Sequence, residues 1–287
     1  METFADRGRL LISCPDRPGI VALVTRFLFE QGANVVDSQQ HSTHPSEGLF
    51  FMRLEFDLPG LGQRLTALER DFNAVTAALR MTFQFSWVER LKRVALFVSR
   101  EEHCLLELLW RWKAGDLRAD LACVVSNHPN AQDVAKLHEL PFFHVPVTAD
   151  TKLKAEQEVL SKLPPDIDLL VLARYMQVLS PAFVAKFPHR IINIHHSFLP
   201  AFSGAKPYAQ ALERGVKLIG ATAHYVTEAL DAGPIIEQDV MRVDHRAEVV
   251  DLQRVGRQVE RAVLARAVGW HVEDRVLVHG NRTVVFS

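Results

Sequence analysis

Apolar positions follow two different periods in the first part of the chain. Over 20–32 and again over 61–80 they recur with helical spacing, and Ile20, Val24 and Phe27 share one face of the first helix. The segments around these two helices are short and apolar or alternate apolar with polar residues, as half-buried strands do. The resulting order, β-α-β-β-α-β, predicts a ferredoxin-like domain.

A different pattern starts at Arg93, where apolar runs typical of buried strands alternate with amphipathic helical stretches. Such alternation predicts βαβ units and a parallel sheet covered by helices on both faces. The charged segment 89–92 separates the two patterns. We therefore expect an α/β protein with a ferredoxin-like domain at 7–88, a linker at 89–92 and a doubly wound, mostly parallel, Rossmann-like domain at 93–287.

Composition and charge disfavour several classes of protein. The 287 residues include 33 Lys and Arg against 34 Asp and Glu, a net charge of −1, which argues against a nucleic-acid or anionic-membrane partner. Uncharged apolar runs are too short to span a bilayer, and the N-terminus is polar and acidic, so we expect a cytoplasmic protein. Three cysteines, Cys14, Cys104 and Cys123, lack CxxC spacing and are expected in the core.

Ligands of doubly wound sheets bind beyond the carboxyl ends of the strands. Two segments place polar residues that could take part in catalysis at such strand ends. Asn193 and His195 are two apart on a predicted strand and project from one face, whereas His196 is expected to point the other way. Asp231 lies in an Asp-Ala-Gly turn seven residues after His224. An amide, an imidazole and a carboxylate that converge can stabilise a tetrahedral oxyanion, but the spacing also suits a polar strand edge and an ordinary turn.

Two other kinds of site receive less support. His195, His196 and His224 with Asp231 could be proposed as metal ligands, yet the first two alternate faces and no HxxxH or Cys partner accompanies them. We therefore expect no metal. A serine nucleophile is equally disfavoured, since no GxSxG is present and Ser203 lacks the required strand-to-helix context.

Three motifs resemble one family, the folate-dependent formyltransferases that include glycinamide ribonucleotide transformylase and methionyl-tRNA formyltransferase. They are ARYMQVLSPAFV at 173–184, NIHHSFLP at 193–200 and TAHYVTEALDAGPII at 222–236, and the resemblance extends from about Arg93 to Val243.

The resemblance implies that Asn193, His195 and Asp231 form the catalytic trio. It also implies that backbone groups of two segments hold the pterin: Tyr175, Met176, Gln177, Val178 and Leu179 in one, and Val226, Thr227, Glu228, Ala229 and Leu230 in the other. No separate cofactor is expected, because the folate is the substrate.

Residues 14–40, CPDRPGIVALVTRFLFEQGANVVDSQQ, resemble an ACT domain, a small module that binds amino acids or mediates assembly. An amino-acid effector is then expected near Asp16–Gly19, and a homo-oligomer is expected as well. An ACT domain in front of a formyltransferase domain is similar to the enzymes that hydrolyse 10-formyltetrahydrofolate to formate and tetrahydrofolate, supply formate for purine biosynthesis and balance the one-carbon folates.

The sequence favours water as the acceptor of the formyl group. A nucleotide phosphate would need a glycine-rich turn after the first strand of the second domain, but no glycine lies between Arg93 and Leu109, and Glu101 and Glu102 would repel a phosphate. Those glutamates also suit a helix N-terminus on structural grounds alone. Two alternatives stay open: transfer of the formyl group to an amine, and an amino-acid sensor without catalysis.

Overall fold

The computed structural model describes residues 4–44, 47–200 and 207–286, and Ser203 lies outside them. Two compact units make up the chain. The first contains the residues up to Leu91 together with Glu273–His279 and the residues from Val284 onward, and the second contains Lys92–Val272 and Gly280–Thr283. This division differs from the predicted domains at the C-terminus, where most residues after 272 group with the first unit.

The first unit has a four-stranded antiparallel sheet with the order β2-β3-β1-β4. Its strands are β1 (Arg7–Pro15), β2 (Asn34–Ser42), β3 (Leu49–Asp57) and β4 (Thr82–Trp87), and its helices are α1 (Ile20–Glu30) and α2 (Leu61–Thr76), the latter followed by a 3₁₀ turn (Ala77–Leu79). The predicted β-α-β-β-α-β order and ferredoxin-like fold are confirmed.

The two faces of this sheet are buried by different parts of the chain. Val24, Phe27 and Phe72 of the helices pack with the strands in one cluster, so the predicted face of α1 is buried as expected. The other face holds a smaller cluster that includes Leu11, Phe51 and Phe286. The C-terminal residues group with this unit because they cover apolar strand positions that the helices leave open.

The second unit has a seven-stranded sheet with the order β11-β10-β9-β8-β5-β6-β7. Its strands are β5 (Arg93–Val98), β6 (Asp120–Ser126), β7 (Phe142–His144), β8 (Leu169–Leu172), β9 (Ile191–His195), β10 (Leu218–Tyr225) and β11 (Ile235–Arg242). Its helices are α3 (His103–Ala114), α4 (Gln132–Leu137), α5 (Lys152–Lys162), α6 (Pro181–Val184), α7 (Pro207–Glu213) and α8 (Val249–Val272). A separate two-stranded sheet consists of β12 (Val276–His279) and β13 (Arg282–Val285).

Five neighbouring strands of the large sheet, β5 to β9, are parallel, and β10 and β11 run antiparallel at one edge. The predicted mostly parallel, doubly wound sheet is confirmed. Among the helices of the described ranges, none is both long and apolar enough to cross a membrane.

The direction of winding reverses at β5, which lies between β6 and β8. Such a reversal opens a crevice beyond the carboxyl ends of the two central strands, where ligands of this fold class bind. Ser99 follows β5 and donates its backbone N–H to the carbonyl of Arg174, which follows β8, at 3.2 Å. The Ser99 hydroxyl accepts the backbone N–H of Met176 at 2.9 Å. These two bonds fix the start of one predicted pterin segment at the crevice.

Candidate active site

A cross-strand pair connects two polar side chains at the antiparallel edge of the sheet. Asn193 of β9 lies directly opposite His224 of β10, and its Nδ2 lies 3.3 Å from His224 Nε2. His224 Nδ1 lies 2.9 Å from the carbonyl oxygen of Tyr225. Because a carbonyl only accepts, Nδ1 donates to it, and in that tautomer Nε2 accepts from the Asn193 amide. His224 therefore orients the Asn193 side chain.

Asp231 brings two histidines to one carboxylate. Its Oδ2 lies 3.2 Å from His195 Nδ1, and its Oδ1 lies 3.6 Å from His224 Nε2. Hydrogen bonding from His195 is the largest cause that holds the pKa of the Asp231 carboxyl well below its ordinary value. Asp231 is therefore ionised at neutral pH and keeps the Nδ1 proton of His195 in place.

The turn that carries Asp231 requires two unusual backbone features. Asp231 has φ of 51°, a left-handed conformation that aspartate tolerates better than most residues. At Gly233 an added Cβ would lie 1.9 Å from the carbonyl oxygen of Tyr225, so only glycine lets the chain pass this close to β10. The Asp-Ala-Gly sequence thus returns the chain to the sheet with its carboxylate next to His195.

His195 presents a free ring nitrogen. Its side chain is buried, and Nε2 has no hydrogen-bond partner within the part of the chain that the structure describes. Since Nδ1 is committed to Asp231, Nε2 is the atom that can exchange a proton with a bound molecule. A buried polar atom without a protein partner is typical of a site that a ligand completes.

His196 departs from the sequence expectation. The rings of His195 and His196 stack with their centroids 5.2 Å apart, instead of pointing to opposite faces. The alternation fails because β9 ends at His195, so the next residue no longer follows strand geometry. Burial lowers the pKa of His196 to about 4, which makes its ring neutral at physiological pH.

A cavity of about 290 Å³ adjoins these residues and is lined by every predicted site residue. Asn193, His195 and Asp231 form part of its wall, and the segments 175–179 and 226–230 form much of the rest. Met176, Val178 and Leu230 expose more than half of their surface there. Apolar side chains next to a few converging polar groups are typical of a pocket for a small organic molecule.

Sequence reasoning considered His224 only as a metal ligand. The structure instead links it to both Asn193 and Asp231, so it belongs to the same polar cluster. The sequence feature that could have indicated this role is the position of His224 on the strand that leads into the Asp231 turn. The register that places it opposite Asn193 was not visible in the sequence.

One group of described residues could be considered for a metal: His103, Cys104 and Glu260 each place a ligand atom within 4.8 Å of the others. Burial raises the pKa of the Cys104 thiol well above its ordinary value, which disfavours the thiolate that a metal would need. Glu260 also lies 3.4 Å from Nε of Arg174, whose positive charge already compensates the carboxylate. We assign no metal to this group.

Comparisons with known proteins agree with both units. The formyl transferase family model matches residues 92–268, and the ACT domain model matches residues 8–73. Formyltetrahydrofolate deformylase of Bacillus subtilis (strain 168) is 54% identical over 283 residues, covering 98% of this chain and 94% of that protein.

Two solved structures extend the comparison. The crystal structure of a formyltetrahydrofolate deformylase from Pseudomonas syringae is similar with a TM-score of 0.93 and 49% identity, covering 98% of this chain and 94% of that one. Glycinamide ribonucleotide transformylase 1 from Symbiobacterium toebii is similar with a TM-score of 0.66 and 29% identity, covering 71% of this chain and 97% of that one.

Proposed function

This chain belongs to the formyltetrahydrofolate deformylase family, and we propose that Asn193, His195 and Asp231 carry out its hydrolysis of 10-formyltetrahydrofolate to formate and tetrahydrofolate. The single observation that supports these roles is the contact of the Asp231 carboxylate with His195, at the wall of the cavity that holds both predicted pterin segments. It joins an ionised carboxylate to an imidazole whose other nitrogen has no partner in the described part of the chain.

The reaction follows from this arrangement. A water oxygen attacks the formyl carbon while Nε2 of His195 takes one proton from that water, and the carbonyl oxygen becomes an oxyanion that accepts hydrogen bonds from the Asn193 amide and the protonated His195 ring. Asp231 stabilises the positive ring and orients the water. The bond between the formyl carbon and N10 then breaks, and the proton held by His195 passes to N10. The second proton of water is lost when formic acid ionises, and formate and tetrahydrofolate are released.

The folate is bound beside this group. We place the pterin between segments 175–179 and 226–230, where backbone N–H and C=O groups provide hydrogen bonds and the exposed side chains of Met176, Val178 and Leu230 provide apolar contact. Asp231 directly follows the second segment. Binding there brings the formyl group close to Asn193 and His195.

The test is a reaction without any amine. The wild-type chain is incubated with 10-formyltetrahydrofolate alone, and formate and tetrahydrofolate are measured over time. We expect equal amounts of both products. Turnover only after an amine is added would favour the transferase alternative, and no turnover with either acceptor would favour a sensor without catalysis.

The first unit, which matches the ACT domain model, supports a second binding role, for an amino acid. Gly19, with φ of 95°, precedes α1 and has no side chain that could cap this helix. The backbone N–H groups of the first turn of α1 can therefore receive a carboxylate. Asp16 lies at the same loop, where its Oδ2 accepts the hydroxyl of Ser42 at 2.6 Å, and it can take the ammonium group. We propose that this loop binds an amino-acid effector.

The same unit provides a surface for self-association. Strands β2 and β4 form the two edges of its sheet, and edge strands offer backbone groups to a second copy of the chain. We propose a homo-oligomer, which light scattering of the purified protein tests. A monomeric mass at micromolar concentration would contradict it.

A further inference from the structure

A second cavity adjoins the first and is lined by a charged cluster. It has a volume of about 170 Å³ and shares Arg174 and His196 with the folate cavity. None of the residues proposed to hold the pterin lines it. If folate occupies the first cavity, as proposed above, the second cavity is the side from which another reactant reaches the formyl group.

Glu260 is the centre of the cluster and is almost completely buried, with 1% of its surface exposed. His103 Nε2 lies 2.9 Å from one carboxylate oxygen, and the Tyr208 hydroxyl donates to the other at 2.8 Å. Nε of Arg174 lies 3.4 Å from the same carboxylate. These contacts make Glu260 a fixed, fully surrounded anion.

Arg174 is held between two carboxylates. Its Nη2 donates to Glu101 at 3.2 Å, while Nε faces Glu260. The residue is nine-tenths buried and has φ of 65°, a backbone conformation that a long side chain rarely adopts. A strained, buried arginine at the junction of two cavities indicates a functional constraint, because glycine would satisfy the backbone at lower cost.

We propose that Arg174, held by Glu260 and Glu101, determines acceptor specificity: it narrows the second cavity so that water reaches the formyl carbon and organic amines do not. This inference rests on the proposed function. With water, an O–C bond forms, the C–N10 bond breaks and the proton of water passes to N10. With an amine, an N–C bond would form, the same C–N10 bond would break and the proton of the amine would pass to N10, leaving a formamide.

The physical reason is the strength of the ion pairs. An amine that passes from this cavity to the formyl carbon would have to displace the buried guanidinium from the buried Glu260 and the half-exposed Glu101, which leaves charges unpaired. Water is smaller, so we expect it to pass without breaking these contacts. Arg174 and its two carboxylate partners therefore select water by excluding the amine, and not by binding water more tightly.

The experiment replaces Arg174 in the full-length chain and supplies two acceptors together. Arg174→Gly suits the positive φ and removes the side chain, and Arg174→Asn is a second variant that the same conformation tolerates. Each is incubated with 10-formyltetrahydrofolate and hydroxylamine, a small nucleophile that is uncharged at neutral pH. Formate and formohydroxamate are measured, and we expect their ratio to shift toward formohydroxamate by about 10-fold or more relative to wild type.

Arg80→Gly is the matched control, because Arg80 is also an arginine at positive φ, 50°, but is exposed in the first unit. Its product ratio should equal that of the wild type. A ratio unchanged in folded Arg174 variants that still produce formate would overturn the inference and leave the deformylase function intact. Complete loss of turnover in both folded variants would also overturn it, since Arg174 would then act in the reaction with water. A wild-type chain that produces no formate would instead contradict the proposed function.

Discussion

Nδ1 of His195 lies 3.2 Å from Oδ2 of Asp231, although α7, β10 and a turn lie between the two residues along the chain. The carboxylate fixes the ring so that Nε2, which has no hydrogen-bond partner among the described residues, faces the substrate. It also stabilises the positive charge that the ring acquires during the reaction.

Asp231→Asn preserves the shape of the side chain and removes its charge. We expect kcat for formate release to fall by about 10²-fold or more, because the positive form of His195 loses its support, while KM changes much less. Steady-state kinetics with 10-formyltetrahydrofolate measure both constants. Near-wild-type kcat in Asp231→Asn, His195→Ala and Asn193→Ala would disprove the catalytic trio.

His224→Gln tests whether His224 acts by positioning Asn193. The variant loses the ring nitrogen that accepts the Asn193 amide, so we expect kcat to fall by about 10-fold, less than for Asp231→Asn. The double variant Asn193→Ala/His224→Gln should be no slower than Asn193→Ala alone, because the two residues act as one unit. Effects that multiply in the double variant would show that His224 acts independently.

The charge of Glu260 should make the free energy of unfolding decrease at acid pH. Burial by itself raises the pKa of Glu260, but the hydrogen bond from His103 and the charge of Arg174 outweigh burial and lower the pKa below its ordinary 4.5. The folded state therefore favours the ionised form. Its stabilisation is fully present above about pH 4.5 and is lost as the pH falls through the lower folded pKa.

Glu260→Gln provides the comparison for this effect. At pH 7 we expect the variant to have a Tm lower by about 5 °C or more, because the buried Arg174 loses a carboxylate partner. The difference in Tm between wild type and variant should narrow as the pH falls below 4.5. Thermal unfolding followed by circular dichroism from pH 3 to 7 measures it, and a difference that is constant across this range would contradict the prediction.

Gly256 permits Tyr208 to reach Glu260 across α8. A Cβ at this position would lie 2.0 Å from the Tyr208 hydroxyl, so Gly256→Ala must displace the tyrosine. We expect a loss of about 1–3 kcal/mol in the free energy of unfolding, measured by urea denaturation. Gly269→Ala on the same helix is the control, because its Cβ meets no atom within 4 Å of the described residues and should stabilise by about 0.5–1 kcal/mol. Equal effects of the two substitutions would show that the Tyr208 contact is unimportant.

The amino-acid effector is tested by calorimetric titration of the common amino acids into the full chain, with and without a bound folate analogue. We expect at least one to bind, with an affinity that the folate changes. Coupling must be reciprocal, so the folate affinity should change by the same factor when the amino acid is present. Asp16→Asn should weaken binding, and if no amino acid binds in either state, the loop serves assembly only.

The strands and helices of both units were predictable because they depend on local periodicity. A face such as Ile20, Val24 and Phe27 is defined by residues a few positions apart, and its burial follows wherever the helix packs. The Asp-Ala-Gly turn and the end of β9 are equally local. The motifs therefore sufficed to identify the family and to select Asn193, His195 and Asp231.

Tertiary structure alone decided which distant residues meet. The register of β9 against β10 places His224 opposite Asn193, and it depends on the bulge and turn geometry of the whole edge. The packing of α8 brings Glu260 to Arg174 over 86 positions of sequence, a contact that no periodicity encodes. The C-terminal residues group with the first unit because Leu11 and Phe51 leave an apolar face to cover, and which segment of the chain covers such a face is settled by three-dimensional packing.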